Sequence, residues 1–260
     1  MRPIRMPHHV LALFPAAVIL GGMLALSGCQ SPAPPPAGES VAELKAKVGQ
    51  LEAAALDWPN RARYREANAQ LGPPAAGEAR VVFLGDSITD SWPQSGHFFA
   101  GQPCVGRGIS GQTTPQMLVR FRDDVVALRP KVVVILAGTN DVAENTGPYD
   151  PGFTRGCIAS MVELARASDI RVVLCSVLPA YDYPWRPGLQ PGPKIMALNA
   201  WMRDYAAQTG CVYLDYFPAM ADERHGLKAA FSEDGVHPNA AGYAVMESLA
   251  GPAIAAALAR

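Results

Sequence analysis

The 260-residue sequence lacks an excess of charge of either sign. It has 22 lysine and arginine residues against 23 aspartate and glutamate residues, and only 17% of its residues are charged. Nucleic-acid-binding domains usually carry a basic patch or stripe, so we expect no nucleic acid among the partners. Proline and glycine, with 24 residues each, are too few for a collagen-like or low-complexity chain. The composition indicates a globular protein of one or two domains.

The sequence also lacks the common patterns of a metal or redox site. It contains neither an H-E-x-x-H pair nor a Cys-x-x-Cys pair, and these spacings are what such sites usually require. We therefore expect no metal and no other cofactor. Only 5 histidines are present, so an imidazole base must come from a short list.

The only long apolar run lies at the N-terminus. Arg2 and Arg5 precede apolar residues 10–26, a run that is marginal for a membrane span of about 20 residues. A charged start with a short apolar run is typical of a secretion signal. Residues 26–29, with the sequence LSGC, resemble the lipobox of bacterial lipoproteins, which implies cleavage before Cys29 and lipidation of its sulfur. An uncleaved anchor with a buried Cys29 is the alternative.

This N-terminus predicts four segments. They are a lipoprotein signal peptide over residues 1–28, a lipidated proline-rich tether over 29–39, an N-terminal helical segment over 40–74 and the main domain over 75–260. A proline-rich tether is extended and semi-rigid. We expect the protein in the cell envelope, anchored by lipid outside the cytoplasmic membrane. In a Gram-negative host we expect the outer membrane, facing the periplasm.

The cysteines of the main domain leave two interpretations open. Disulfides persist outside the cytoplasm, and Cys175 and Cys211 both belong to apolar runs. A Cys175–Cys211 bridge is one interpretation and buried free thiols are the other. We favour free thiols for these two residues and for Cys104 and Cys157.

Apolar runs of strand length alternate with helix-period segments through the main domain. The runs are β-branched and continuous rather than alternating, which is typical of parallel strands covered on both faces. They occupy residues 81–84, 104–105, 132–137, 172–177 and 212–214. The helix-period segments are residues 115–128, 152–167, 194–208 and 240–258, with earlier helices expected over 41–55 and 60–71. The alternation predicts a three-layer α/β/α fold with a five-stranded parallel sheet.

Polar residues follow several of these strands, where ligands bind in open α/β sheets. The sequence GDS at residues 85–87 follows the first strand, and Gly108 follows the second. The sequence GTND at residues 138–141 follows the third, and DGVHP at 234–238 precedes the last helix. Together these four segments resemble the motif blocks of the SGNH hydrolases, also called the GDSL esterase/lipase family, over residues 80–258. The resemblance implies a flavodoxin-like fold and a serine esterase.

The residues themselves suggest a Ser-His-Asp triad. Ser87 follows a buried strand, and it needs a base to become a nucleophile. His237 stands three residues after Asp234, so the carboxylate can hold Nδ1–H and leave Nε2 facing the serine. Pro238 restricts His237 to an extended backbone.

The family resemblance adds an oxyanion hole to this triad. It implies that the backbone N–H groups of Ser87 and Gly108 and the side-chain amide of Asn140 donate to the oxyanion. Gly106 and Gly111 are alternatives for the glycine, which must let the backbone approach the substrate closely.

A proline-rich loop over residues 180–193 offers candidate substrate contacts. Its Tyr181, Tyr183, Trp185 and Arg186 could stack on a sugar ring or bound an acyl group, or they could fill a small core of the loop itself.

We expect hydrolysis of short-chain or acetyl esters, on small molecules or on O-acetylated carbohydrate. A lipolytic enzyme of the lysophospholipase or thioesterase type is one alternative, and a catalytically silent glycan-binding lipoprotein is another. The sequence does not predict the oligomeric state.

Overall fold

The structure is a computed structural model that describes residues 40–95 and 98–260. The predicted signal peptide over residues 1–28, the lipidation site Cys29 and the tether over residues 29–39 lie outside the described residues. Residues 47–260 form one unit, whereas the first described residues, 40–46, belong to another.

Five parallel strands form the sheet at the centre of the fold. They are β1 (Val81–Gly85), β2 (Cys104–Gly108), β3 (Val132–Leu136), β4 (Arg171–Cys175) and β5 (Val212–Leu214). Their order in the sheet is β2-β1-β3-β4-β5, and every neighbouring pair is parallel. All residues of β1 and β3 are buried, as their continuous apolar sequences predict. The predicted α/β class with a five-stranded parallel sheet is confirmed.

Helices pack on both faces of the sheet. The α-helices of the described residues are α1 (Val41–Leu56), α2 (Arg65–Leu71), α3 (Ser87–Ser91), α4 (Thr114–Asp124), α5 (Thr139–Val142), α6 (Pro151–Ala167), α7 (Pro191–Thr209), α8 (Phe217–Met220) and α9 (Ala240–Leu258). Short 3₁₀ turns follow α3 and α4 and precede Ser232.

Alternate residues of each strand point to opposite faces of the sheet, so two hydrophobic cores form. Val82 and Leu84 of β1 belong to one core, together with buried residues of α4, α6 and α7. Val81 and Phe83 belong to the other core, with buried residues of α3 and α9. Helix α9 is long and apolar enough to cross a membrane by composition, but it packs against β3, β4 and β5. It is therefore a core helix of the domain.

The segment over residues 60–71 differs from its prediction as one helix. The helix begins only at Arg65, because the Asp57 carboxylate accepts hydrogen bonds from the backbone N–H groups of Arg61 and Ala62. Asn60 in addition adopts a left-handed φ of 52°. An aspartate that binds nearby backbone N–H groups competes with helix formation.

The cysteines of the described residues are free. Cys157 and Cys175 are buried, and Cys104 and Cys211 are partly buried. Burial raises the pKa of the Cys104 thiol to about 11 and raises that of Cys175 well above its ordinary value. These thiols stay protonated at neutral pH and are poor nucleophiles.

Candidate active site

The sheet topology brings the segments after β1 and β3 side by side. The chain leaves β1 in one direction to form β2 and returns to the other side of β1 to form β3. Ligands bind at this switch point, outside the carboxyl ends of the strands. Ser87 begins α3 directly after β1, and Asn140 lies in α5 shortly after β3.

Close backbone approach explains two glycines beside Ser87. A Cβ on Gly85 would lie 2.1 Å from the Thr89 hydroxyl oxygen, and one on Gly108 would lie 2.1 Å from the backbone nitrogen of Asp90. Neither position can accept a side chain. The alternatives Gly106 and Gly111 do not contact α3 in this way, because Gly111 has open space around it and Gly106 meets the Pro93 ring.

The structure joins Ser87, His237 and Asp234 in one series of hydrogen bonds. Ser87 Oγ lies 2.9 Å from His237 Nε2, and His237 Nδ1 lies 2.6 Å from Asp234 Oδ2. His237 is in the turn before α9, and that helix is capped by the Asn239 side chain. The imidazole thus has one nitrogen toward the hydroxyl and the other toward the carboxylate. This is the arrangement of a nucleophile, its base and the group that orients the base.

The turn around Asp234 holds its carboxylate in the ionised form. Partial burial acts to raise the pKa of Asp234, but hydrogen bonds from the imidazole and backbone of His237 and from the backbone of Val236 outweigh it. The pKa of Asp234 is lowered to about 2. The two backbone bonds, 2.8 and 2.9 Å long, reach Oδ1 and leave Oδ2 for the imidazole.

Asn140 presents its side-chain amide at the same edge. Its side chain is buried, with 2% of the residue exposed. Its Nδ2 donates to the Gln112 carbonyl at 3.1 Å, and its Oδ1 accepts from Asn145 Nδ2 at 2.7 Å. An amide nitrogen carries two N–H groups, so one remains to donate to a substrate oxygen.

Two further acids lie behind the site, and each is buried. Burial raises the pKa of Asp86 to about 6, although a backbone hydrogen bond from Ile88 and the proximity of His237 oppose the rise. Burial also raises the pKa of Asp141, against hydrogen bonds from Thr114. Asp86 caps α3, and Asp141 connects α5 to the first turn of α4. Both acids support the backbone of the site.

A buried arginine ties the ends of β1 and β2 together. The Arg120 guanidinium donates to the carbonyls of Gly85 and Arg107 at 2.9 and 2.8 Å. Asp124 pairs with it at 2.9 Å. Burial lowers the pKa of Arg120, and the charge of Asp124 opposes this. The fork of donors fixes the strand ends that carry the motif residues.

The loop predicted over residues 180–193 ends at Gln190 in the structure, because α7 begins at Pro191. Its four candidate residues lie in different surroundings. Tyr183 is buried and its hydroxyl donates to the Thr139 carbonyl at 3.1 Å, so this residue belongs to the core. The Trp185 ring lies 6.1 Å from the His237 ring and is part of the site. Tyr181 is 56% exposed and pairs with the Arg224 guanidinium, 4.1 Å from its ring centroid. The Arg186 backbone N–H donates to the Tyr183 carbonyl, and its side chain is exposed.

Sequence reasoning missed Arg120, Gln112 and Asn145. A buried charge in an otherwise amphipathic helix is not visible from the sequence of α4. Asn145 lies five residues after Asn140, which is no helix or strand spacing that brings side chains together. Among the residues that the structure describes, no cluster of three histidine, cysteine or acidic side chains is placed to hold a metal ion.

The residues of this site lie within a region that matches a known protein family. The sequence model of the GDSL-like Lipase/Acylhydrolase family matches residues 83–245, which include every residue of the hydrogen-bonded series described above. A GDSL-like lipase from Bacteroides thetaiotaomicron, known from its crystal structure, is 47% identical with a TM-score of 0.75. The match covers 76% of this chain and 98% of that one.

Two curated relatives are more distant. Platelet-activating factor acetylhydrolase IB subunit alpha1 of Bos taurus is 33% identical over 113 residues, which are 41% of this chain and 47% of the relative. The chain thus spans about half the length of this relative. An acetylxylan esterase from Geobacillus stearothermophilus is 25% identical over 205 residues, covering 64% of this chain and 90% of the relative.

Proposed function

Because the chain belongs to the GDSL-like lipase/acylhydrolase family, we propose that it is a serine ester hydrolase that works through an acyl-enzyme. The observation that carries the proposal is the connected series from Ser87 Oγ through His237 to Asp234, with separations of 2.9 and 2.6 Å. Both distances are within hydrogen-bond range. A nucleophile with its base and the orienter of that base is the requirement for covalent catalysis on an acyl group.

In the first half of the reaction, Ser87 Oγ attacks the acyl carbonyl carbon and its proton passes to His237 Nε2. The carbonyl oxygen becomes an oxyanion, which accepts from the backbone N–H groups of Ser87 and Gly108 and from Asn140 Nδ2. The ester C–O bond then breaks, and the leaving alcohol takes the proton from His237. Asp234 stays ionised throughout and stabilises the imidazolium.

In the second half, water attacks the acyl group on Ser87. His237 Nε2 takes a proton from this water, and a second oxyanion forms in the same position. The bond between the acyl carbon and Ser87 Oγ then breaks, and the proton returns to the serine. The products are the free carboxylic acid and the original enzyme.

The surface beside the base is mostly polar. The concave surface next to His237, about 330 Å³ in volume, is lined by Glu233, Asp234, His237, Pro238 and Asn239. Its only apolar side chain is that of a proline, and the Trp185 ring centroid lies 6.1 Å from that of the imidazole. The names of the two curated relatives, an acetylhydrolase and an acetylxylan esterase, agree with acetyl esters of a small molecule or a carbohydrate.

Chain-length preference tests this choice of substrate. Along the series p-nitrophenyl acetate, butyrate and octanoate we expect kcat/KM to fall by about tenfold or more, because the polar surface beside His237 offers little apolar area to the added methylenes. A true acyl groove would instead gain about 0.8 kcal/mol, or roughly fourfold, per buried methylene. A rise in kcat/KM toward octanoate would favour a lipolytic enzyme. Release of acetate from acetylated xylo-oligosaccharides would separate a carbohydrate substrate from a small ester.

We also propose that Cys29 carries a lipid that holds the enzyme in the cell envelope, supported by the sequence LSGC at residues 26–29. A Cys29→Ser variant should leave the membrane fraction and change in mass, because serine cannot take the thioether-linked lipid. Cys104→Ser, which removes a cysteine of the folded domain, is the matched control and should remain in the membrane fraction. An uncleaved anchor would keep both variants in the membrane with the full precursor mass.

A further inference from the structure

The orientation of the Asn140 amide decides whether it can act as an oxyanion donor. The two ends of an asparagine amide have nearly the same shape, and only the nitrogen end donates. Asn140 has one end toward the Gln112 carbonyl and the other toward Asn145. A carbonyl only accepts, so Nδ2 must face Gln112. The partner on the opposite side must then donate to Oδ1.

Asn145 supplies that donor, and Trp185 decides which of its own ends does so. The Trp185 Nε1–H group donates to Asn145 Oδ1 at 3.0 Å, and an indole nitrogen can only donate. Asn145 Nδ2 is therefore the end that faces Asn140 Oδ1, at 2.7 Å. The series runs from Trp185 through Asn145 and Asn140 to the Gln112 carbonyl. A donor-only group at one end and an acceptor-only group at the other give it a single direction.

The backbone turn after α5 places Asn145 over Asn140. Glu144 has a left-handed φ of 59°, and its N–H donates to the Asp141 carbonyl while the Asn145 N–H donates to the Asn140 carbonyl. This pair of bonds is a Schellman motif. Glycine usually occupies the left-handed position because other residues are strained there, yet this chain has glutamate. The turn returns the chain so that the side chains of Asn140 and Asn145 meet.

Trp185 also contacts the base of the site. Its ring centroid lies 6.1 Å from that of His237 and 5.2 Å from that of Tyr183, and 43% of the residue is exposed. The same side chain thus bounds the imidazole with its ring and holds Asn145 with its N–H group. The loop before α7 is thereby connected to the oxyanion side of the site.

We propose that Asn145 and Trp185 are positioning residues that orient the Asn140 amide through this series of hydrogen bonds. The proposal rests on the proposed function, in which Asn140 stabilises the oxyanion. Asn145 acts on the transition state without touching the substrate, so its effect should appear in kcat and not in KM. Asn145 Nδ2 also donates to the Gly111 carbonyl at the longer distance of 3.4 Å, but it reaches the oxyanion donor through Asn140. Its effect on kcat should therefore disappear when the Asn140 amide is absent.

A double-mutant cycle on p-nitrophenyl acetate tests this. We expect Asn140→Ala to lower kcat by about 10²–10³, and Asn145→Ala to lower it by the smaller factor of about 10–100, because the donor remains but is no longer held. KM should change by less than about twofold in both variants. The double variant should have the kcat of Asn140→Ala alone, since residues that act as a unit are non-additive.

Two further variants distinguish a loss of the hydrogen-bond series from a loss of folding. One removes a single donor of the series, and the other is a control outside it. Trp185→Phe retains a ring beside His237 but removes the N–H donor, and we expect it to lower kcat several-fold in the wild type and not in Asn145→Ala. Thr146→Ala removes a neighbouring exposed side chain whose hydroxyl is hydrogen-bonded to that of Thr113, and its kcat should match the wild type. Thermal unfolding of each variant identifies any that is misfolded.

The outcomes separate this proposal from the proposed function. If Asn145→Ala keeps the wild-type kcat, or lowers kcat by the same factor with and without Asn140, the positioning role is wrong. If Asn140→Ala keeps the wild-type kcat, the oxyanion role of Asn140 fails first. If the wild type does not hydrolyse the ester at all, the proposed function itself fails.

Discussion

Replacement of Ser87 by alanine is expected to lower kcat for p-nitrophenyl acetate by about 10⁶, the scale on which loss of a serine nucleophile acts in a triad. The substitution removes only the hydroxyl group, whose oxygen lies 2.9 Å from His237 Nε2. Without it no acyl-enzyme forms, and water must attack the ester directly. The oxyanion donors remain, so a residual rate above that of buffer alone is expected.

Ser248→Ala is the matched control for this experiment. Ser248 is exposed on α9 and its hydroxyl donates to the Val245 carbonyl of the same helix, so the variant should hydrolyse the ester at the wild-type rate. Mass spectrometry after rapid acid quench should show an acetylated species in the wild type and in Ser248→Ala but not in Ser87→Ala. Equal rates in wild type and Ser87→Ala would exclude the acyl-enzyme mechanism.

The layers of the fold follow from local features of the sequence. β1 and β3 are continuous apolar runs, as expected of parallel strands that helices cover on both faces. β2 has the weaker sequence CVGRG and is only partly buried over its first three residues. Helices α6 and α9 match their predicted bounds within one residue. The prediction of one helix over residues 60–71 was wrong at its start. The Asp57 carboxylate accepts hydrogen bonds from backbone N–H groups at residues 61 and 62 and so caps a turn before the helix. A side chain that binds backbone four or five residues away outweighs the helix pattern there.

The site was predictable to the extent that its partners are close in sequence or belong to a motif. Asp234 and His237 are three residues apart, and this spacing together with the other motif blocks indicated their contact. The contacts that hold the site join residues that are far apart in the sequence. Arg120 and Gly85 are separated by 35 residues, and Trp185 and Asn145 by 40. Such pairs depend on the packing of whole layers. The turn at Glu144 also lacks the glycine that normally signals a left-handed residue.

Replacement of Asp234 by asparagine is expected to lower kcat by about 10⁴ with the turn intact. In the wild type, the backbone N–H groups of Val236 and His237 donate to Oδ1. The amide oxygen of the variant can still accept these two hydrogen bonds. The amide nitrogen, in place of Oδ2, can only donate toward Nδ1 of the imidazole. Nε2 then carries the proton and cannot accept one from Ser87. Glu223→Gln makes the same change of charge at an exposed carboxyl group and should leave the rate unchanged.

The pH dependence of unfolding checks the same carboxylate independently of the rate. The pKa of Asp234 is lowered in the fold to about 2 from 3.8, so the unfolded chain binds the proton more tightly. The ionised carboxylate therefore stabilises the fold at every pH above about 4, and this contribution is lost as the pH falls toward 2. Urea unfolding should show Asp234→Asn less stable than wild type at pH 7, with the difference shrinking between pH 4 and 2. A difference that stays constant over this range would mean that the carboxylate is not ionised by its contact with His237, and the orienting role would lose its electrostatic basis.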